Sequence, residues 1–423
     1  MARAIVFVLS LGTLALVSGC ADLPVDGALR CGPDAAHPCP DGFDCLEGQC
    51  YRHGHGPDLS VATEGDMAQS IGVPDGGASP DLLPACGASG EPCCASSMCG
   101  AGLACYNATC ASADVWAIGN GSNTVLSNHW NGNTWSSQNF ITPSGLLSPV
   151  VTRLWGSSDS DIWGVGWAEP QGPPSDQPDV PAVYHWNGNA WTFCPTGNAC
   201  AVPSSTQLTD IFGLAADDIW VTAFDGAYHW NGSIWKAQST GLTTGVSALA
   251  SIWCQSTNDC FIVGNNQSQD IVIQHWNGTT WSMSNYAAAG GTLEGVWGFA
   301  SNDVWAVGSN GANGVNVIHW DGTIWSTTYV IPNSGPMSAV WGAASNDVWT
   351  VGASGNIAHW NGSGWTGTAL TNTINCYAVY GFSSKDVWIA ASNTMLHWDG
   401  NTWTSTMAAG TGADMRSLWG PKP

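Results

Sequence analysis

"HWNGNTW", residues 129–135, returns six more times: HWNGNAW at 185–191, HWNGSIW at 229–235, HWNGTTW at 275–281, HWDGTIW at 319–325, HWNGSGW at 359–365 and HWDGNTW at 397–403. An Asn-Gly or Asp-Gly pair between two apolar stretches signals a tight hairpin, and a type I′ turn, with positive φ at both central positions, is the expected form. Working outward, each copy is preceded by a strand of the type Asp-Val-Trp-x-Val-Gly, and most of those by an apolar strand ending in Trp-Gly. The whole unit is clearest in GVWGFASNDVWAVGSNGANGVNVIHWDGTIWSTT, residues 295–328. Four short strands make one unit.

The HW motifs lie 38 to 56 residues apart, which is the spacing of propeller blades. Seven copies therefore predict a seven-bladed β-propeller over 111–423. The first unit opens at ADVWAIG with no Trp-Gly strand before it, and MRSLWGPKP at the other end is such a strand with nothing after it. Met415 to Trp419 is thus expected to be the innermost strand of the blade that holds Trp116, Trp130 and Trp135. An open solenoid would need polar capping repeats instead. Composition agrees with an all-β chain: 44% hydrophobic and 9% charged, with 26 Trp and 53 Gly, it is poor in helix formers.

This arrangement resembles the kelch and galactose-oxidase-like propellers, and more narrowly the Trp-Gly/Asp-Val-Trp/His-Trp-Asn-Gly repeats of myxobacterial-type surface lipoproteins. It departs from a kelch repeat by lacking the Gly-Gly pair, and GxxW after HW[ND] is one residue short of a sialidase-type Asp-box.

The N-terminus, MARAIVFVLSLGTLALVSGC, carries one positive charge, Arg3, and an apolar run from Ala4 to Val17. Residues 1–19 read as an export signal, too short to remain as a spanning helix. Val17-Ser18-Gly19-Cys20 resembles the lipobox of bacterial lipoproteins, which implies lipid on Cys20, a tether over 20–30 and a lipid bilayer as partner. With Ala21 rather than Asp after the Cys, the resemblance further implies the outer membrane or cell surface of a Gram-negative bacterium. The other reading is an ordinary signal peptide with Cys20 in a disulfide.

Two short Cys-rich modules follow. The first, 31–52, holds Cys31, Cys39, Cys45 and Cys50; the second, 86–110, holds Cys86, Cys93, Cys94, Cys99, Cys105 and Cys110. Neither is long enough to bury a core, so disulfides formed in an oxidising compartment are expected to hold them. Four cysteines allow three pairings and six allow fifteen, and the spacing does not choose among them. Zinc is the alternative, but no paired CxxC is present. The adjacent Cys93-Cys94 gives the second module a knottin-type resemblance. Between them 53–85, rich in Gly, Pro, Asp and Ser, reads as a disordered linker. Cys194, Cys200, Cys254 and Cys260 are further disulfide candidates, whereas Cys376 falls in a core position.

Strand direction places an Asp at the opening of each second strand beside the His that closes the third. The expected pairs are Asp114 with His129, Asp161 with His185, Asp218 with His229, Asp259 with His275, Asp303 with His319, Asp347 with His359, and Asp386 with His397. Their recurrence in every blade argues for structural hydrogen bonding rather than for a metal ring. Variation gathers on the opposite face: the insertion from Trp167 to Ala182, the loop with Cys194 and Cys200, and the stretch from Gln138 to Val150. Four charges stand out on the innermost strands, Arg153, Asp210, Glu294 and Arg416. Together with an exposed Trp167 they are the candidate binding residues.

Catalysis finds no support in the inventory. A sialidase cluster needs three arginines where two are available, a galactose-oxidase-like copper site needs histidines outside the HW motifs, and a glycosidase needs two placed carboxylates. No catalytic residue, metal site or cofactor is expected. Net charge −23 excludes nucleic acid and other polyanions. The expectation is a membrane-anchored extracytoplasmic binding module for a neutral or cationic ligand, a glycan or an envelope protein. The alternative is a structural envelope or spacer protein without a ligand, and after that a propeller hydrolase.

Overall fold

The computed structural model describes residues 43–46, 49–52, 103–106, 109–112 and 114–421, the last span without 122–124, 141–142, 173–176, 243–245, 285, 287–289, 310–314, 330–334, 370–373 and 407–412. The signal segment, Cys20, the linker and most of both Cys-rich modules lie outside the described residues. The chain divides into two compact units, Met1–Ser79 and Pro80–Pro423. In the first, Phe43–Leu46 pairs with Gln49–Arg52 as a hairpin. The second contains an equivalent hairpin, Leu103–Tyr106 with Thr109–Ser112, and seven four-stranded antiparallel sheets.

The seven sheets are the blades of a β-propeller. Six of them run in chain order from inside to outside, beginning with the inner strands Leu146–Ser158, Leu208–Ala215, Val246–Ser256, Thr292–Ala300, Met337–Ala344 and Cys376–Ser383 of blades 2 to 7. Blade 1 has Asp114–Asn120, Val125–Asn131 and Trp135–Asn139, and its inner strand is Asp414–Trp419 from the other end of the chain. Each inner strand packs on the next, and the last on the first, so the ring is closed.

Aromatic burial holds neighbouring blades together. The aromatic of each Asp-x-Trp strand, or Phe261 of the one Asp-x-Phe strand, inserts between the two Trp of the next blade's HW[ND]GxxW: Trp116 meets Trp186 and Trp191, Trp163 meets Trp230 and Trp235, and so on to Trp388, which meets Trp130 and Trp135 of blade 1. Ring centroids in the seven triads lie 5.0 to 6.3 Å apart, in tilted and edge geometries that suit the aromatic quadrupole. Closer to the axis, the glycine after the inner-strand aromatic leaves space for the preceding blade: a Cβ on Gly213 would stand 2.4 Å from Trp155, and one on Gly381 2.6 Å from Trp341. Blade 3 has Phe212 in place of Trp, and the facing glycine of blade 4 is replaced by Cys254, against whose cluster Phe212 packs. A smaller ring is matched by a larger neighbour.

The HW[ND]G turns differ from the type I′ expectation. Positive φ is confined to the glycines, from +86° at Gly188 and Gly232 to +93° at Gly400. The preceding Asn or Asp makes a second left-handed residue unnecessary: Asn131 Oδ1 accepts the amides of Asn133 and Thr134 at 3.0 and 2.9 Å, and Asp321 and Asp399 do the same in their blades. Side-chain mimicry of a backbone turn replaces the strained residue.

Candidate functional site

The Asp–His pairs form a ring at one end of the blades. Nε2–Oδ1 distances are 2.6 to 2.8 Å in blades 2 to 7, and 3.5 Å between His129 and Asp114 in blade 1. Each imidazole also lies against the aromatic ring of its own Asp-x-Trp or Asp-x-Phe strand, with centroids 3.9 to 4.5 Å apart. Where Trp163, Trp349 and Trp388 donate Nε1–H to the same carboxylate, the His, Asp and Trp form a closed clamp. Burial works against ionisation of Asp161, yet its bonds from His185, Ser157 and Trp163 hold its carboxyl below the usual range. Every propeller histidine is thereby engaged in contacts that the repeat provides.

At the axis the inner strands enclose a cavity of about 860 Å³. A bulge recurs in every inner strand three residues before the terminal aromatic, at Thr152, Thr209, Ala250, Glu294, Ser338, Tyr377 and Arg416. Bulges re-aim side chains, and the consequences differ from blade to blade. Thr152 and Thr209 turn into the seams, bonding the carbonyls of Leu208 and Leu249 in the following blades. Arg416 lies outside the cavity, stacked 3.9 Å from the Tyr377 ring centroid and paired with Asp414 at 3.0 Å. Of the seven bulge residues only Glu294 and Ser338 line the cavity.

One position further on, a second repeated contact appears that sequence reading missed. Ser417 Oγ accepts the Leu154 amide of blade 2 at 2.9 Å, Asp210 Oδ2 accepts the Ile252 amide of blade 4 at 2.9 Å, and Ser251 Oγ accepts the Val296 amide of blade 5 at 3.3 Å. Each acceptor bonds the inner edge of the next blade. Blade 2 carries Arg153 here, which cannot accept, and the Ile211 amide is instead bonded by Asp210's own Oδ1 at 2.9 Å. Arg153 in turn reaches the Thr152 carbonyl at 2.9 Å and stands 3.7 Å from Asp210. Asp210 is 7% exposed; burial raises its carboxyl pKa, against the opposing effects of Arg153 and the two amides. Arg153 and Asp210 are thus a connected pair in the ring's inner bonding, and the signal for it was the residue two before each inner-strand aromatic.

Of the other expected site features, Trp167 is placed differently from the sequence expectation, while the propeller cysteines follow it. Trp167 is half-buried in the strand Asp161–Pro170, opposite Val150 and Pro181, and is no open stacking platform. Cys194 and Cys200 are joined in a disulfide, and the Cys200 carbonyl accepts Trp235 Nε1–H at 3.1 Å, which ties that loop to the seam between blades 2 and 3. Cys254 and Cys260 also form a disulfide, across the first two strands of blade 4. Cys376 is buried, and its burial pushes the thiol pKa up to about 12.

No protein-family model and no curated protein sequence matches the chain. Among solved structures, it is similar to YCF48 bound to D1 peptide (17% identity, 70% of this chain and 89% of that one, TM-score 0.48). It is also similar to YCF48 from Cyanidioschyzon merolae (14%, 65% and 89%, TM-score 0.44) and to the WD40 β-propeller domain of Doa1 (9%, 70% and 90%, TM-score 0.47).

Proposed function

We propose that this propeller is an exported, lipid-anchored binding module that takes a glycan or an envelope protein at its axial cavity, and that it acts by binding rather than by catalysis. The observation that carries the reading is the broken repeat at the axis. Seven blades repeat their Asp–His contacts and turns, yet the wall of the 860 Å³ cavity differs from blade to blade and gathers Arg153, Asp210 and Glu294. A cavity of that size with a few convergent polar groups on a rigid frame is the usual form of a ligand site. Engagement of all seven propeller histidines in the Asp–aromatic contacts supports binding over metal-assisted chemistry. The lipobox-like Val17-Ser18-Gly19-Cys20 supports anchoring, and the Gram-negative surface location rests on that same resemblance. The test is to immobilise the full chain and measure its binding to neutral polysaccharides and to purified envelope proteins by interferometry. Saturable binding that Glu294→Gln or Arg153→Ala alters supports the module; absence of saturable binding to either class leaves the envelope spacer as the function. Palmitate labelling that Cys20→Ser abolishes supports the anchor, and equal labelling of both proteins refutes it.

A further inference from the structure

Three charged side chains line the axial cavity among the described residues, and they are not equivalent. Asp210 and Arg153 are neighbours at 3.7 Å, with the carboxylate further bonded by two amides. Arg416, outside the cavity, is neutralised by Asp414 at 3.0 Å. Glu294, in blade 5, has no ion-pair partner among the described residues and stands almost across the ring from Arg153 in blade 2. The cavity's uncompensated charge is therefore a single carboxylate.

The wall around that carboxylate is also distinct. Blades 1 to 4 place Ser417, Arg153, Asp210 and Ser251 at the repeated acceptor position, and these side chains are committed to the inner edge. Blades 5 to 7 place Gly295, Ala339 and Ala378 there, all lining the cavity. The sector that begins at Glu294 is consequently the open one, floored by small residues and flanked by Val296, Val340 and Val379. A glycine and two alanines also leave the Val340, Val379 and Leu418 amides without a side-chain acceptor from the preceding blade.

Resting on the binding-module reading above, we infer that the cavity holds an organic cation, a primary ammonium or guanidinium group on an apolar stem, with Glu294 as its counter-ion and the Gly295–Ala339–Ala378 sector as the space for the stem. An ionised acceptor in a partly desolvated site makes stronger hydrogen bonds than a neutral one. The chain's net charge of −23 raises the local concentration of cations and excludes anions. The same group occurs on a free amine and on a basic side chain of a protein, and two probes separate these sources.

The experiment is calorimetry on the full chain with agmatine, with the blocked peptide acetyl-Gly-Lys-Gly-amide, and with 1-butanol as the uncharged control. Saturable binding of agmatine or of the peptide, but not of butanol, is expected, weakening as salt is added. A tighter peptide points to a protein's side chain as the occupant, a tighter agmatine to a free amine. Glu294→Gln is expected to weaken binding about tenfold or more. Ser338→Lys, which sets an internal ammonium at the adjoining bulge position, is expected to do the same. Both variants should melt as the wild type does, since neither residue belongs to the inner-edge bonds. If neither cation binds, or if binding is indifferent to both variants, the inference is overturned. Should a neutral polysaccharide or an envelope protein bind meanwhile, the binding-module reading survives without it; if neither these nor the cations bind, both fall.

Discussion

Replacing Asp210 tests the claim that the axial charges begin as a solution to a bonding problem. Asp210→Ala strips the Ile211 and Ile252 amides of their acceptor in one change, both bonds being 2.9 Å long. A hydrogen bond to a charged group contributes about 1.5–3 kcal/mol. The Arg153 contact, at 3.7 Å with the arginine side chain 28% exposed, adds under about 1 kcal/mol after solvent screening. Desolvation of the carboxylate offsets part of this gain, as its raised pKa shows, so the expected loss is about 3–5 kcal/mol. Asp210→Ser should lose about half as much, because serine already serves at this register in Ser417 and Ser251. The double variant Arg153→Ser with Asp210→Ser makes blades 1 to 4 uniform, with one hydroxyl for each following amide, and should return to within about 1 kcal/mol of wild type. Urea unfolding of the disulfide-intact protein, followed by Trp fluorescence and extrapolated linearly, reads the wild type, both Asp210 variants, the Arg153→Ser single and the double variant. The reasoning is refuted if Asp210→Ala costs under about 1 kcal/mol, or if the double variant is as unstable as its two singles added together.

Truncation after Ala413 removes the inner strand of blade 1 and with it Trp419, 6% exposed; loss of such a side chain alone costs about 3–5 kcal/mol, so the product should aggregate or melt far lower in calorimetry. Gly213→Ala puts a methyl group 2.4 Å from the Trp155 indole and should destabilise by about 1–3 kcal/mol, measured by the same urea titration. Burial works against ionised Asp225, but bonds from Ser204, Ser205 and Tyr228 hold its carboxyl below the ordinary 3.8. Its stabilisation is therefore complete above that value and lost as pH falls through the lower folded value, and Asp225→Asn should flatten the acid limb of a stability–pH curve; an unchanged limb contradicts this.

Blade number, strand order and ring closure were legible because each is written seven times or marked by its absence at one end. The axial site was not, for a reason specific to the bulges. Alternation of side chains along a strand assigns faces reliably only while the period of two holds, and the extra residue at Glu294, Arg416, Thr152 and Thr209 breaks it at the register where the charges stand. Position on the inner strand grouped Arg416 with Glu294, and both are bulge residues, although one stacks on Tyr377 beyond the cavity and the other lines it. The Ser417, Asp210 and Ser251 bonds run between blades, and no local pattern announces a partner 263, 42 or 45 residues away. The HW[ND]G turn was recognised as a turn from its glycine, while its type depended on whether the Asn side chain would stand in for a backbone conformation.

The closing strand also sets a clock. Asp414–Trp419 is synthesised after every other strand of the seven sheets, yet it belongs to the blade that is made first. Until it arrives, Asp114–Asn120 has an unpaired inner edge, the kind of edge that recruits foreign strands. Six blades' worth of chain must be held in a competent state while the first waits, and the contacts that end the wait are among the most distant in sequence, which places them late and slow in folding. Completion of the ring is consequently an all-or-nothing signal that the chain has been delivered as far as Trp419, since a product stopping short of it presents the open inner edge of Asp114–Asn120 to any protease that samples unfinished β-sheets.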